Sequence, residues 1–284
     1  MINNLRRRSI VLGGIAFAAG IAMAGSAMAQ GLMERATGDG LRVAFFNFVP
    51  YAYMTDGGEL TGTDVETLRA VLDAMGGKID EANATDWGAL IPGLKAGRFD
   101  VVAAGMFVTP ERCAEVQFSE PTFGIQQALL VAEGNPDGIE TYETIAEKGL
   151  KVGAVSGAAQ VGYAKAAGIE DGNIQQLPDN PTGVAALKAG RIDAWAVSAP
   201  GVRQIVASGV EGVQSTDVFA EVAGEPAVSH GAFAFRKGDA DFVEAFNAAM
   251  ADFIGSDAHI AIMEAHGMTA DELPILSTAE LCGG

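Results

Sequence analysis

A seven-residue motif occurs twice in the chain, and the second copy starts 93 positions after the first. It reads LKAGRFD at residues 94–100 and LKAGRID at residues 187–193. Apolar residues at helical spacing precede each copy, and its glycine suits the left-handed position at which many helices end. A short apolar run follows each copy, at 101–104 and at 194–197. The motif therefore predicts two similar helix-to-strand units, each adding a strand to a sheet that is buried on both faces.

Each unit requires an earlier strand and a crossover helix, and the chain contains candidates for both. The apolar segments 41–46 and 151–155 are predicted to be the first strands of two sheets. The first crossover helix is predicted over 64–75, with Thr63 as its N-cap and two glycines ending it. An equivalent helix is predicted over 160–167. Such alternation of strands and helices is typical of α/β lobes with right-handed crossovers.

The chain is predicted to form two lobes, since the 255 residues after position 29 approach the size at which a single core becomes unusual. Lobe 1 is predicted over 38–127 and 234–284, and lobe 2 over 131–229. The hinge segments are predicted near 127–131 and 229–234. The predicted fold class is α/β, with a mostly parallel sheet flanked by helices in each lobe. Two crossings between lobes indicate a cleft that closes on a ligand.

The first 29 residues have the pattern of a signal peptide. Three arginines at 6–8 precede an apolar run at 10–23, and Ala27-Met28-Ala29 offers a small-residue cleavage site. Cleavage after Ala29 is expected to release an exported, periplasmic protein. A retained membrane anchor is the alternative, and the general secretory and twin-arginine export routes both stay open.

The charge of the exported part excludes several kinds of partner. Three of the 18 basic residues lie in the leader, which leaves 15 against 36 acidic residues and a formal charge of −21. Nucleic acids and anionic membrane surfaces require a basic footprint, so neither is expected as a partner. The chain has three histidines and no Cys/His cluster at ligand spacing, so no metal and no cofactor are expected.

The two cysteines, Cys113 and Cys282, are expected to form a disulfide bond. An isolated pair in an oxidising compartment is more often bridged than free. Such a bridge would connect the C-terminus to the segment just after Arg112. Two free thiols are the alternative.

Four residues that suit a zwitterionic ligand fall at the rim where open α/β sheets bind their ligands, beyond the carboxyl ends of the strands. They are Tyr51, Trp87, Phe107 and Arg112. An organic cation gains about 0.5–2 kcal/mol over an aromatic face, and the guanidinium fork matches a carboxylate in two hydrogen bonds. Backbone N–H groups of residues 156–159, ahead of a helix, could bind the same carboxylate from lobe 2. The pattern favours a carrier of a small zwitterion.

Each of these four residues also has a purely structural interpretation. Tyr51 would fold its ring over the lobe surface, Trp87 would pack in the core, and Phe107 would be an ordinary apolar residue at a strand end. Arg112 would be an exposed helix residue paired with a neighbouring glutamate.

Three motifs together resemble a known family: F-x-x-x-x-P-Y at 45–51, D-W-x-x-L-I-P-x-L-K-x-G-R-F-D at 86–100 and T-P-E-R at 109–112. Their order is similar to that in the extracytoplasmic solute-binding proteins of ABC importers, in the polar-amino-acid branch. Within that branch, residues 103–113 and 235–239 and the terminal Leu281-Cys282 look most like the ectoine- and hydroxyectoine-binding proteins.

The resemblance implies a two-lobed periplasmic-binding-protein fold and a monomeric receptor that delivers its solute to an inner-membrane ABC permease. It places the aromatic box for the ligand's cation on Tyr51, Trp87 and Phe107, with Arg112 as the partner of the carboxylate. The remaining ligand-binding positions that it implies are Gly105, Phe48, Ser156, Ala159 and Ser198.

The chain departs from that family's pattern at three of these positions. Phe48 stands where an acidic residue generally pairs with the ligand's nitrogens, so either a further aromatic wall replaces it or Asp86 or Glu225 takes its role. Ser198 stands near the position at which amino-acid binders carry an aspartate, and Ala159 replaces a hydroxyl residue. Ectoine or hydroxyectoine is therefore the expected ligand, with a betaine or an amino acid as alternatives.

An exported dehydratase of cyclic carboxylic acids is the alternative of another class, because the resemblance extends to a few such enzymes. It would need a general acid or base in the cleft, and no Ser-His-Asp set, nucleophile elbow or H-E-x-x-H motif occurs in the chain. His230, near the return crossing, is the one histidine considered for that role, and it is otherwise expected to be a solvated hinge residue. We therefore expect that the protein is not an enzyme. A ligand-sensing subunit would have the same sequence features as a transport receptor.

Overall fold

The computed structural model describes residues 31–283, in which two five-stranded sheets are flanked by helices. The predicted signal peptide lies outside the described residues. The strands of the two sheets are β1 (Leu41–Phe45), β2 (Ile79–Ala84), β3 (Val101–Val102), β4 (Gln117–Phe118), β5 (Gln127–Ala132), β6 (Val152–Val155), β7 (Ile174–Leu177), β8 (Ala194–Ser198), β9 (Val213–Ser215) and β10 (Ala234–Phe235).

The helices of the described residues are mostly one to three turns long. They are α1 (Leu32–Thr37), α2 (Thr63–Ala74), α3 (Leu90–Lys95), α4 (Pro110–Glu115), α5 (Tyr142–Lys148), α6 (Ala159–Ala166), α7 (Asn180–Lys188), α8 (Ala199–Ala207), α9 (Ala240–Ala251), α10 (Asp257–Ala265) and α11 (Thr278–Leu281). Short 3₁₀ turns occur at Trp87–Ala89, Asp171–Asn173, Lys237–Asp239 and Ala270–Glu272. Two-stranded ribbons pair Tyr53–Met54 with Leu60–Thr61, Phe123–Ile125 with Ser229–Gly231, and Glu221–Val222 with Glu225–Pro226.

The two sheets have matching topologies. Their strand orders are β2-β1-β3-β10-β4 and β7-β6-β8-β5-β9. In each, the first three strands are parallel, the fourth runs against its two neighbours, and the fifth again follows the direction of the first three. This arrangement confirms the predicted α/β fold with mostly parallel sheets.

The chain passes from the first sheet to the second after β4 and returns before β10. At the crossings, Phe123–Ile125 and Ser229–Gly231 pair as antiparallel strands, with Ser229 opposite Ile125. We call the parts built on the first and second sheets lobe 1 and lobe 2. The crossings lie beside the segments predicted as hinges, while the exact limits of the lobes stay a prediction.

The repeated motif ends a helix in the same way in both lobes. Gly97 and Gly190 have φ values of 70° and 64°, the left-handed conformation that glycine adopts without a steric cost. The motif's final aspartates also match, because each binds the backbone of the neighbouring first strand. Asp100 Oδ2 accepts the N–H of Arg42 at 3.1 Å, and Asp193 Oδ2 accepts the N–H of Lys151 at 2.8 Å.

Asp100 has an additional role, since it is the centre of a cluster of arginines. Its carboxylate is 2.9 Å from Arg35 Nε, 2.9 Å from Arg42 Nη2 and 3.4 Å from Arg236 Nη2. Burial alone would raise the pKa of Asp100, but the hydrogen bonds from Arg42 and the charges of Arg42 and Arg35 hold that pKa below its usual value. The cluster joins the N-terminal helix to β1 and to the segment after β10.

Replacing Asp100 with asparagine is therefore expected to lower the free energy of unfolding by about 2 kcal/mol at pH 7, because three guanidinium groups lose their common anion. The loss should shrink as the pH falls below about 4, where the wild-type carboxylate takes up a proton and its contribution is lost. Urea unfolding at pH 7 and pH 3 measures both effects.

The matched control is Asp193→Asn, since Asp193 occupies the same motif position and is in no ion pair within residues 31–283. It should lower the free energy of unfolding by less than Asp100→Asn does. Equal costs for the two variants would contradict the role given to the arginine cluster.

The start of α2 differs from the prediction. The helix begins at Thr63, and Gly62 rather than Thr63 is its N-cap. Gly62 has a φ of 120°, and a Cβ atom there would lie 2.3 Å from the carbonyl oxygen of Tyr51. The close approach of the Tyr51 loop fixes this helix start, which local propensity does not reveal.

The C-terminal part of the chain returns to lobe 1. Phe242 and Phe246 of α9 are buried against the first sheet. Beyond it, Cys282 forms the predicted disulfide bond with Cys113, across a sequence separation of 169 residues. Within residues 31–283, no helix combines the length and apolarity needed to cross a bilayer.

Candidate ligand-binding site

A small apolar cavity of about 30 Å³ lies between residues of the two lobes. Lobe 1 contributes five aromatic rings to its lining, and lobe 2 contributes small apolar residues, two amides and a hydroxyl. The rings are those of Phe46, Phe48, Tyr51, Trp87 and Phe107. None of the residues lining this cavity has a charged side chain. Its walls therefore suit an organic group that is held by dispersion and by the faces of aromatic rings.

The aromatic wall is built from short connections that follow the strands of lobe 1. Phe46, after β1, contacts Trp87 edge to face, with ring centroids 5.8 Å apart. Phe48 meets Tyr51 in the same manner at 5.3 Å. Tyr51 stacks on Phe123 of the crossing ribbon, with centroids 5.1 Å apart. Edge-to-face contacts of this kind fix the ring orientations.

Gly105 completes this wall at a position that requires glycine. Its φ is 65°, and a Cβ atom there would lie 2.5 Å from the ring of Tyr51. The backbone can therefore pass directly against the tyrosine ring. Any larger residue would displace the ring from the cavity wall.

The wall from lobe 2 consists of the start of α6 and the end of β8. Ala159 and Gln160 begin α6, whose N-terminal end carries a partial positive charge that favours anions. Ser198 ends β8, and its Oγ accepts a hydrogen bond from the Tyr51 hydroxyl at 2.8 Å. Burial raises the pKa of Tyr51 well above its usual value, although the bond to Ser198 opposes this. The neutral phenol thus connects the two lobes.

Arg112 lies beside this cavity rather than on it. Its Nη1 donates to the carbonyl of Phe107 at 2.8 Å, and its Nη2 donates to the carbonyl of Gly157 at 3.2 Å. Its guanidinium carbon is 5.5 Å from the ring centroid of Trp87. Trp87 and Arg112 together line an adjoining cleft. The prediction that Arg112 shares one cavity with the three rings is therefore not met, because two backbone carbonyls and the indole hold the guanidinium.

Arg112 forms no ion pair with an acid in the described structure, although the charge of the neighbouring Glu111 acts on it. None of the ion pairs found in residues 31–283 includes it, and Glu115 pairs with Lys95 instead. Burial lowers the pKa of Arg112 to about 10, so the group stays protonated at neutral pH. Trp87 Nε1 also donates to the carbonyl of Gly157, at 3.1 Å. Two residues of lobe 1 thus bind one carbonyl of lobe 2.

The structure brings together most of the positions predicted for the site. Those lining the cavity are Phe48, Tyr51, Trp87, Gly105, Phe107, Ala159 and Ser198. Ser156 does not line it: the residue is exposed, and its N–H donates to the carbonyl of Leu177 at 2.9 Å. The pairing of neighbouring strands uses this donor and removes it from the site.

Several cavity residues were not among the positions predicted from the sequence, namely Phe46, Val155, Gln160, Asn180, Ala196 and Val197. Asn180 is the first residue of α7, and its Oδ1 accepts a hydrogen bond from Trp195 Nε1 at 3.1 Å. The position of Gln160 next to Ala159 at a helix start was a usable signal. The sequence contains no such signal for Phe46 and Asn180, since their roles depend on which elements meet across the cleft.

The residues considered for acid chemistry lie elsewhere. Neither Asp86 nor Glu225 lines the cavity, and both are exposed. His230 belongs to the crossing strand Ser229–Gly231 and is fully buried, so its description as a solvated hinge residue is wrong. Its Nε2 accepts the N–H of Ile275 at 3.3 Å, and burial lowers its pKa. The C-terminal segment covers this histidine and excludes it from the cleft.

Comparisons with known proteins agree with this architecture. Residues 41–267 match the family model of bacterial extracellular solute-binding proteins, family 3. A protein of Sinorhizobium fredii named a probable amino-acid ABC transporter periplasmic-binding protein is 33% identical over 249 residues, which cover 85% of this chain and 82% of that protein. A protein of Campylobacter jejuni named a probable histidine-binding protein is 30% identical over 71% of this chain and 74% of its own length.

Solved structures with similar folds include binding proteins for different solutes. The crystal structure of EhuB in complex with hydroxyectoine is 31% identical, with a TM-score of 0.78 over 85% of this chain and 93% of that one. An ancestral amino-acid-binding protein described as a precursor of cyclohexadienyl dehydratase is 26% identical, with a TM-score of 0.69 over 80% and 94% of the two chains. These likenesses confirm the predicted resemblance, and the chain belongs to the bacterial extracellular solute-binding proteins of family 3.

Proposed function

We propose that this protein captures a small zwitterionic compatible solute, with ectoine and hydroxyectoine as the first candidates. It acts in the periplasm after cleavage behind Ala29 and delivers the solute, as a monomer, to an ABC permease of the inner membrane. It needs no cofactor and catalyses no reaction.

The composition of the cavity carries this proposal. Aromatic rings surround it and no charged side chain lines it, so a cation entering it would be bound by π-faces. Such contacts are worth about 0.5–2 kcal/mol each and more when water is excluded. A delocalised or alkylated cation loses less hydration on entering than a primary ammonium group, and therefore fits these walls better.

The negative end of the ligand has two candidate partners beside the cavity. The N-terminal end of α6 lies on the cavity wall at Ala159. The guanidinium of Arg112 lies on the ring of Trp87, with backbone carbonyls as its hydrogen-bond partners. A ligand carboxylate that replaced the Gly157 carbonyl would gain a charge-assisted pair. Both partners support a zwitterion rather than a simple cation.

Two other solute classes fit particular observations. The absence of an acid from the cavity lining, with Phe48 in the usual position of one, favours a betaine, whose nitrogen has no N–H donors. The names of the relatives favour amino acids, but the Ser198 hydroxyl brings no charge for an α-ammonium group. The dehydratase alternative has weaker support, because no residue lining the cavity is a histidine, lysine or carboxylic acid.

Isothermal titration calorimetry with ectoine, hydroxyectoine, glycine betaine, proline and arginine tests the proposal. Ectoine or hydroxyectoine should bind at least about tenfold more tightly than proline and arginine, a difference of about 1.4 kcal/mol. Ligand recovered after the titration should be unmodified. Preferred binding of arginine, binding of none of the five, or turnover of the ligand would contradict the proposed function.

A further inference from the structure

Asp64, which no part of the site described so far includes, is a buried acid behind the cavity wall. The residue is 1% exposed. Its backbone N–H donates to the carbonyl of Tyr51 at 3.0 Å, and its Oδ2 accepts the N–H of Gly105 at 2.7 Å. Tyr51 and Gly105 both line the cavity. Asp64 therefore contacts two residues that line the cavity without lining it itself.

One oxygen of this carboxyl group is buried without a hydrogen bond. Oδ1 has no hydrogen-bond partner within the part of the chain that the structure describes. Burial of an unpaired ionised oxygen is unfavourable. Burial accordingly raises the pKa of Asp64 to about 7, although the N–H groups of Gly105 and Ala104 lower it in part. The group can thus be neutral in slightly acidic solution and ionised in slightly alkaline solution.

Few other charges act on this acid. The Tyr51 phenol is one titratable group that interacts with it, since the charge of Asp64 raises the pKa of that phenol. From the other elements, Glu272 of a 3₁₀ turn raises and Arg203 of α8 lowers the pKa of the same phenol. The Gly105 loop that packs on the carboxyl group contributes backbone N–H groups. A cation in the aromatic cavity would be an additional positive charge in this low-dielectric region.

We propose that Asp64 supplies the negative charge that balances the bound cation, and that it releases a proton to solvent when the cation binds. This inference rests on the proposed function, since it requires a ligand with a permanent positive charge. Attraction between the cation and the carboxylate is strong where water is excluded. By linkage, the cation then favours the ionised carboxylate as much as the ionised carboxylate favours the cation.

The direction of the pH effect follows from this linkage. Ligand-free Asp64 is largely protonated below pH 7, and the bound cation shifts its titration to lower pH. Protons are therefore released at pH values between the two titrations, and affinity rises as the pH increases from 6 to 8. For a shift of one unit, the Kd falls about fivefold over this range.

Calorimetry of ectoine binding in buffers of different ionisation enthalpy measures the released protons directly, because ectoine stays zwitterionic between pH 6 and pH 8. Wild type should release about half a proton near pH 6.5. Asp64→Asn keeps an oxygen acceptor for the Gly105 N–H but cannot ionise. It should release none, and at pH 8 it should bind ectoine about tenfold more weakly than wild type.

Asp241→Asn is the matched control, since Asp241 is an exposed acid at the same second position of α9. It should behave as wild type. A carbon-13 NMR titration of the Asp64 carboxyl group in wild type, with and without ectoine, provides a second test that does not depend on the folding of the variant. The ligand should move its titration to lower pH.

Binding of ectoine without proton exchange, proton release that persists in Asp64→Asn, or an unchanged NMR titration would overturn this inference and leave the proposed function intact. Failure of every zwitterion to bind would overturn both.

Discussion

Replacing Trp87 with alanine is expected to weaken ectoine binding about thirtyfold, which corresponds to a loss of about 2 kcal/mol. The indole lines the cavity and also separates it from the cleft that contains Arg112. Its removal takes away a π-face from the cation, admits water, and deprives the Arg112 guanidinium of the ring on which it lies. Calorimetry on wild type and the variant at pH 8 measures the change.

Trp87→Phe is the control for this variant, because it keeps a π-face and loses the indole N–H that donates to Gly157. It should weaken ectoine binding about threefold. The indole is only half-buried, so the unfolding free energy of Trp87→Ala should stay within about 1 kcal/mol of wild type. A variant that unfolds, or that binds ectoine as tightly as wild type, would show that Trp87 is not a wall of the ligand site.

Replacing both Cys113 and Cys282 with serine is expected to lower the free energy of unfolding by about 4 kcal/mol, since the disulfide bond closes a loop across a sequence separation of 169 residues. The Tm should fall by roughly 10 °C. The bond fixes the C-terminal helix α11 to α4, the short helix that contains Arg112. Loosening of α4 should therefore also weaken ligand binding. Thermal unfolding followed by circular dichroism, with calorimetry, measures the two effects.

Reduction of the wild-type bond is the matched control for the serine variant, because it breaks the same link without changing a residue. Both samples should show the same Tm within error. An oxidised wild type that is no more stable than the double variant would contradict the role assigned to the bond.

The fold could be predicted because its signals are local. The motif at 94–100 and 187–193 carries its helix-ending glycine within seven residues, and this glycine ends the helix as expected in both copies. The structure adds that the motif's aspartates bind the neighbouring strand. Two aromatic positions of the site could be predicted from the order of strands and helices, since Tyr51 and Phe107 lie in the connections that follow β1 and β3 of lobe 1. The rule that ligands bind beyond the carboxyl ends of strands then selects them.

The rest of the site depends on contacts between distant segments. Arg112 lies on Trp87 because the carbonyl of Gly157, from the other lobe, accepts one of its hydrogen bonds. Ser156 is unavailable because β7 takes its N–H. Asp64 resembles an ordinary acid in the first turn of a helix, and only the packing of the Tyr51 loop and the Gly105 loop buries it. No local sequence pattern indicates these three sets of contacts.

In the proposed function, aromatic rings receive the positive end of a zwitterion between the two lobes. A crystal structure of the protein with bound ectoine tests it most directly. We expect the cationic ring of ectoine within about 6 Å of the ring centroids of Tyr51, Trp87 and Phe107, with its carboxylate towards Arg112 or the start of α6. Ectoine bound outside this cavity, or bound with its carboxylate against the aromatic rings, would show that these rings are not the cation site.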